Sequence, residues 1–139
     1  MKVTLHHEIP GADEYNALRI ALGWGSSAPD ITILALQRSL FSVTLRQSGQ
    51  LVGMARVIGD GGLAFYIQDV IVTERLRGQG YGKRLMDEVM VFLHGTAQSG
   101  SVIGLMAALG KDAFYTRYGF NRRPNEFQGS GMTQFPSEW

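Results

Sequence analysis

Hydrophobic and polar positions follow two rhythms along this chain. Residues 3–9 alternate as a first strand, which Pro10-Gly11 ends. Residues 12–22 change to helical spacing, with Tyr15, Leu18 and Leu22 on one face. Gly23-Trp24-Gly25-Ser26-Ser27 breaks that helix. Pro29 suits the first turn of a second helix, which the pattern carries to Ser39 or Leu40. Strand rhythm returns over residues 41–46 and 51–58. The turn Gln47-Ser48-Gly49-Gln50 joins them, so an antiparallel hairpin is expected. After Gly59-Asp60-Gly61-Gly62, residues 63–72 read as one long strand.

The second half is more helical at first. Residues 81–94 place Leu85, Met86, Val89, Met90, Phe92 and Leu93 on a buried side. Lys83–Asp87 and Arg84–Glu88 stand as i,i+4 pairs on the other face. Residues 101–107 form an apolar strand, expected at the centre of a sheet. A short helix is expected from Lys111 to Arg117 or Tyr118, stopped by Gly119. Residues 120–123 then begin a strand, and residues 132–135 suit a last one. The order is mixed α/β, with antiparallel hairpins and one strand–helix–strand crossover.

Composition narrows the classes. A chain of 139 residues, 45% hydrophobic, fits one domain over residues 1–139 with a substantial core. A net charge of +1 suggests no large nucleic-acid footprint, so no nucleic-acid partner is expected. With no cysteine there is no disulfide, thiol nucleophile or thiolate metal site. His6, His7 and His94 lack metal-ligand spacing and read as surface or packing residues, so no metal is expected. No apolar run reaches membrane-spanning length and Met1-Lys2-Val3 opens no signal peptide. The expectation is a cytoplasmic protein with no membrane partner.

The chemistry concentrates after residue 72. The long strand runs into a basic turn with glycines at 78, 80 and 82, where a helix begins. Missing side chains let backbone N–H groups meet a ligand closely. A helix N-terminus adds unpaired N–H groups and the positive end of its dipole, which suits phosphate. Two familiar phosphate loops fail on spacing. A Walker A loop needs glycine where Arg77 stands and a hydroxyl where Arg84 stands. A dinucleotide fingerprint needs glycine at Lys83 and an acid near Ser101-Val102-Ile103. Simple punctuation would explain one glycine, but three alternating ones flanked by Arg75, Arg77, Lys83 and Arg84 are harder to explain as a turn.

Arg77-Gly78-Gln79-Gly80-Tyr81-Gly82 fits Arg/Gln-x-x-Gly-x-Gly/Ala, and resembles the acyl-CoA pyrophosphate loop of the GNAT acetyltransferases. Ala113-Phe114-Tyr115-Thr116-Arg117-Tyr118-Gly119-Phe120 resembles that family's late helix-to-strand signature, at about the family's spacing. Gly129-Ser130-Gly131-Met132 is similar to the ending of a small subgroup that includes chloroplast-type serotonin acetyltransferases. The resemblance implies a mixed twisted sheet of six or seven mostly antiparallel strands, flanked by about four helices and splayed at the cofactor site. It implies transfer of the acetyl group of acetyl-CoA directly to a primary amine of a small molecule. The other function class is an acyl-CoA-binding regulatory module without turnover. A homodimer is possible in either case.

Site residues follow from the same resemblance. Arg77, Gly78, Gln79, Gly80, Tyr81, Gly82, Lys83 and Arg84 would hold the pyrophosphate. The strand edge at Val70, Ile71 and Val72 would meet the pantetheine arm through its backbone, as an added strand does, with the side chains of Val70 and Val72 serving the core. A backbone N–H near Val70 would act as oxyanion donor. Tyr115 matches the family's general acid, a phenol protonated at neutral pH. It could also be an aromatic packing residue beside Phe114, Tyr118 and Phe120. Asp69 is a carboxylate in an apolar strand, costly if buried and unpaired, and reads equally as catalytic base or salt-bridge partner. Glu126 and a water chain are other candidates for the base. Tyr15, Arg19, Trp24 and Phe127 are expected to line the acceptor site, and Trp24 reads equally as a helix-end packing residue.

Overall fold

The computed structural model describes residues 1–139. The chain divides into two compact units, Met1–Ile103 and Gly104–Trp139. The first carries strands β1 (Val3–His6), β2 (Phe41–Gln47), β3 (Gln50–Gly59) and β4 (Ala64–Val72). Its helices are α1 (Ala12–Ile20), α2 (Pro29–Gln37) and α3 (Tyr81–Thr96). Strand β5 (Val102–Leu105) is where the chain passes from one unit to the next. The sheet order is β1-β2-β3-β4-β5, and the first four strands are antiparallel neighbours.

Local chemistry sets these elements. The β2–β3 hairpin turns on Ser48 and Gly49, at φ 51° and 77°, the pair of left-handed residues a tight two-residue hairpin needs. The β3–β4 turn depends on Gly59 (φ 146°), where a Cβ would fall 2.0 Å from the Ala64 carbonyl oxygen. Asp60 Oδ1 accepts the N–H groups of Gly62, Leu63 and Ala64 at 2.8–3.0 Å. At the start of α1, Glu14 Oε2 accepts the Gly11 N–H at 2.8 Å, and Arg46 holds the same carboxylate from β2.

Strand β3 is buried without interruption from Leu51 to Val57. Continuous burial requires cover on both faces of the sheet. Helix α3 supplies one cover through Leu85, Met86, Val89 and Leu93. Tyr15 and Leu18 of α1 and Leu36 of α2 form a core with Leu51, Met54 and Ile71. Met90 and Phe92, also expected on the buried side of α3, are only half-buried; Phe92 stacks on Phe41 with ring centroids 4.9 Å apart. Lys83 pairs with Asp87 as expected. The expected Arg84–Glu88 pair is replaced by Glu88 with His7 Nε2, at 2.9 Å, because Phe41 seats His7 edge-on beside α3.

In the second unit, α4 (Asp112–Thr116) ends in a turn at Gly119, φ 87°. Residues 120–123 and 132–135 form no strands, so the sheet has five strands rather than six or seven. Pro124 offers no N–H, and Asn125 Oδ1 accepts the N–H groups of Phe127 and Gln128, which turns the first segment. Pro136 draws the end of the second into a 3₁₀ turn. Strand β5 is consequently an edge and not the expected centre, with Val102 67% exposed. Its Val102 N–H donates to the Leu63 carbonyl at 2.8 Å.

Candidate active site

The segment after β4 is a glycine-rich turn that exposes backbone amides at the start of α3. Buried Leu76 anchors a 3₁₀ turn over Glu74–Leu76. Gly78 and Gly80 follow at φ 75° and 86°, the left-handed region that favours glycine. A Cβ on either would meet no protein atom within 4 Å. Packing does not exclude side chains here; backbone conformation does, and the loop stays open to a ligand. The first helical bond of α3 runs from the Arg84 N–H to the Gly80 carbonyl at 3.1 Å. The Tyr81 and Gly82 N–H groups therefore stand ahead of the helical ladder, at the positive end of its dipole. Arg75, Arg77, Lys83 and Arg84 are exposed around them. Arg77 Nε is steadied by the Val72 carbonyl at 3.2 Å, and the Arg84 guanidinium lies over the Tyr81 ring at 5.9 Å. This geometry fits a pyrophosphate.

Just upstream, β4 carries a bulge. Met54 pairs with Ile71 and Arg56 with Gln68, so Ala55 alone faces Asp69 and Val70. The extra residue puts Asp69 at φ 60° and takes Val70 out of regular register. Val70 and Val72 are half-buried, and the core position belongs to Ile71, at 2% exposure.

The bulge aims the Asp69 side chain inward, where it is fully buried. Its Oδ2 accepts hydrogen bonds from Tyr15 Oη at 2.5 Å and Arg56 Nε at 2.8 Å. Its Oδ1 accepts from Arg19 Nη1. Arg56 Nη1 also donates to Ser39 Oγ at 3.2 Å. Burial, and then the bond to Asp69, raise the Tyr15 phenol above its ordinary value, so it is a protonated donor at neutral pH. Of the two readings of Asp69, this geometry supports the ion pair.

A cavity of about 190 Å³ opens beside that network, between α1, α2, β3 and β4. Tyr15, Arg19, Ile31, Leu36, Arg56 and Gln68 are among its walls. The structure thus brings Tyr15 and Arg19 together at one cavity, whose lining does not include Trp24 or Phe127. Trp24 is 43% exposed and covers Arg19, its ring centroid 5.4 Å from the guanidinium carbon. Arg56 and Gln68 were missed from sequence. Arg56 carried the same signal as Asp69: a charge inside an apolar strand.

Two further candidates lie in the second unit. Tyr115, on α4, is half-buried, edge-on to Phe114 at 5.0 Å and to Phe120 at 6.3 Å. Burial pushes its phenol above the ordinary value, so it holds its proton through neutral pH. Phe127 is 88% exposed. No group of three or more histidine, cysteine or acidic side chains is placed to hold a metal.

Known proteins place the chain. The family model for an acetyltransferase (GNAT) domain matches residues 31–139. An uncharacterized N-acetyltransferase of Porphyra purpurea is 30% identical over 120 residues, covering 84% of this chain and 68% of that protein. Among solved structures, a protein of unknown function from Staphylococcus aureus, given as a probable acetyltransferase, has 31% identity and a TM-score of 0.87. The match covers 96% of this chain and all of that one. A GNAT-family acetyltransferase from Streptococcus pneumoniae shares the fold at 22% identity, with TM-score 0.76 over 96% and 98% of the two chains. The family match over residues 31–139 and the two relatives at 30% and 31% identity establish that the chain belongs to the GNAT acetyltransferases and is an acyl-CoA-dependent N-acyltransferase.

Proposed function

We propose that this protein transfers the acetyl group of acetyl-CoA to a primary amine of a small molecule. The observation that carries this reading is the cradle: two left-handed glycines with open space above them, leading into the unbonded amides of a helix start. Gly78, Gln79, Gly80, Tyr81 and Gly82 would bind the pyrophosphate through the backbone, while Arg77, Lys83 and Arg84 supply charge. The β4 edge at Val70, Ile71 and Val72 would hold the pantetheine arm. Acetyl-CoA brings an acetyl group already activated as a thioester, so the protein's work is positioning and proton management.

Tyr115 is assigned as general acid. Its Oη carries a proton at neutral pH, as any phenol does, and burial disfavours the phenolate further. Asp69 is assigned to hold Arg19 and Tyr15 in place, since its oxygens are committed to three donors. Tyr15, Arg19 and Trp24 would present the acceptor. A thiol-release assay across aryl, aliphatic and amino-acid amines tests the reading. Acetyl-CoA-dependent release with a matching acetylated product is expected. Tight acetyl-CoA binding without release on any amine would favour a binding module instead.

A further inference from the structure

The cavity between α1 and α2 has an uneven charge count. Two guanidiniums, Arg19 and Arg56, share one carboxylate, Asp69. No acidic side chain lines the cavity itself. The excess is one positive charge, held on side chains that are 22% and 11% exposed. Not every donor is used: Arg19 gives Asp69 only Nη1, and Arg56 gives Nε to Asp69 and Nη1 to Ser39. The remaining guanidinium N–H groups make no hydrogen bond within the chain. Ile31, Ala35 and Leu36 make the wall beside them apolar, which strengthens the field of an unbalanced charge.

We infer that the acceptor is a small amine that also carries a carboxylate, taken by the spare N–H groups of Arg19 and Arg56. A carboxylate matches the guanidinium fork and neutralises the single excess charge, whereas a phosphate dianion would overshoot it. The size agrees: about 190 Å³ is below the usual range for drug-sized ligands, so a short head group enters. The same positive field disfavours an ammonium and favours the neutral amine, the form that can attack a carbonyl carbon. Arg19 and Arg56 are thus specificity-determining residues of the transfer reaction proposed above, on which this inference rests.

The test uses amino acids of graded chain length, each paired with its own carboxamide, so that only the carboxylate changes. Calorimetry with coenzyme A present reads acceptor binding without transfer, and thiol release with acetyl-CoA reads turnover. The best-binding amino acid should bind about tenfold or more tightly than its amide, as expected for hydrogen bonds to a charged group. Its KM should differ in the same direction, and Arg19→Gln should shrink the difference while Arg19→Lys keeps part of it. Equal affinities for acid and amide in the parent protein, including none for either, overturn the inference even if amides are acetylated well. Selective binding of the acid with no thiol release leaves this inference standing and refutes the transfer reading. The parent comparison needs no variant, so a poorly folding Arg19→Gln does not decide it.

Discussion

The glycine turn at the start of α3 and the cavity between α1 and α2 lie in the same unit but are built in opposite ways. The cradle is local: six consecutive residues, Arg77 to Gly82, shape it with backbone amides and left-handed glycines. Its charged side chains, Arg77 and the neighbouring Lys83 and Arg84, lie at the surface. The cavity is non-local. Tyr15 and Arg19 come from α1, Arg56 from β3 and Asp69 from β4, up to 54 positions apart. Its charges are internal, two guanidiniums sharing one carboxylate. A backbone site tolerates loss of any one exposed side chain but not the addition of one at a glycine. A buried charge network tolerates the reverse poorly: removing one partner strands the others.

The largest expected effect tests that fragility. Asp69→Asn leaves two nearly buried guanidiniums without their shared anion, so thermal or denaturant unfolding should show a loss of about 3–5 kcal/mol. A loss under about 1 kcal/mol, the range of an exposed pair, would mean the network is solvent-screened and the contrast is overdrawn. At the cradle, Gly80→Glu should weaken acetyl-CoA binding by about 100-fold or more, because a side chain is strained there and its carboxylate meets the pyrophosphate. Its unfolding midpoint should move little by comparison, since nothing packs on that position. Unchanged affinity by calorimetry would remove the cradle from the cofactor site.

Tyr115→Phe belongs to neither region and separates chemistry from binding. Turnover should fall by about 100-fold, the scale of a positioned general acid, with acetyl-CoA affinity and stability near those of the parent. A parent-like rate with chemistry limiting would return Tyr115 to its aromatic cluster. Arg77→Ala should cost the cradle less than Gly80→Glu, roughly tenfold or below, and the deficit should narrow as salt screens the parent's advantage. Salt-independent loss would point to a packing role instead.

The smallest effect concerns the scaffold. Hydrogen bonding to Arg46 lowers the Glu14 carboxyl, and the Thr44 hydroxyl, with Arg46, lowers Glu8, both from an ordinary 4.5. A depressed carboxyl stabilises the fold fully above its unfolded value and loses that contribution as pH falls through the folded one. Stability should therefore be level above about pH 5 and decline below the ordinary carboxylate range. Glu14→Gln should flatten part of that decline in acid titration of the unfolding midpoint.

The sequence by itself determined what depends on near neighbours. Amphipathic spacing marked α1 and α3, Ser48-Gly49 marked the hairpin, and the alternating glycines marked the turn into α3, because helix and turn are each decided within a few residues. Apolar composition over residues 101–107 was a weaker guide. It suggested a central strand, yet an edge position depends on whether other segments pair beyond it, and Pro124 with the Asn125 turn keeps residues 120–123 from doing so. Asp69 was visible only as a charge that needed a partner, and Arg56 went unread. Tertiary structure alone decided that they partner each other, since the bulge that turns Asp69 inward arises from the register of β3 against β4. A side-chain network joining residues so far apart exists only once the sheet and α1 have packed, and no local pattern encodes that distance.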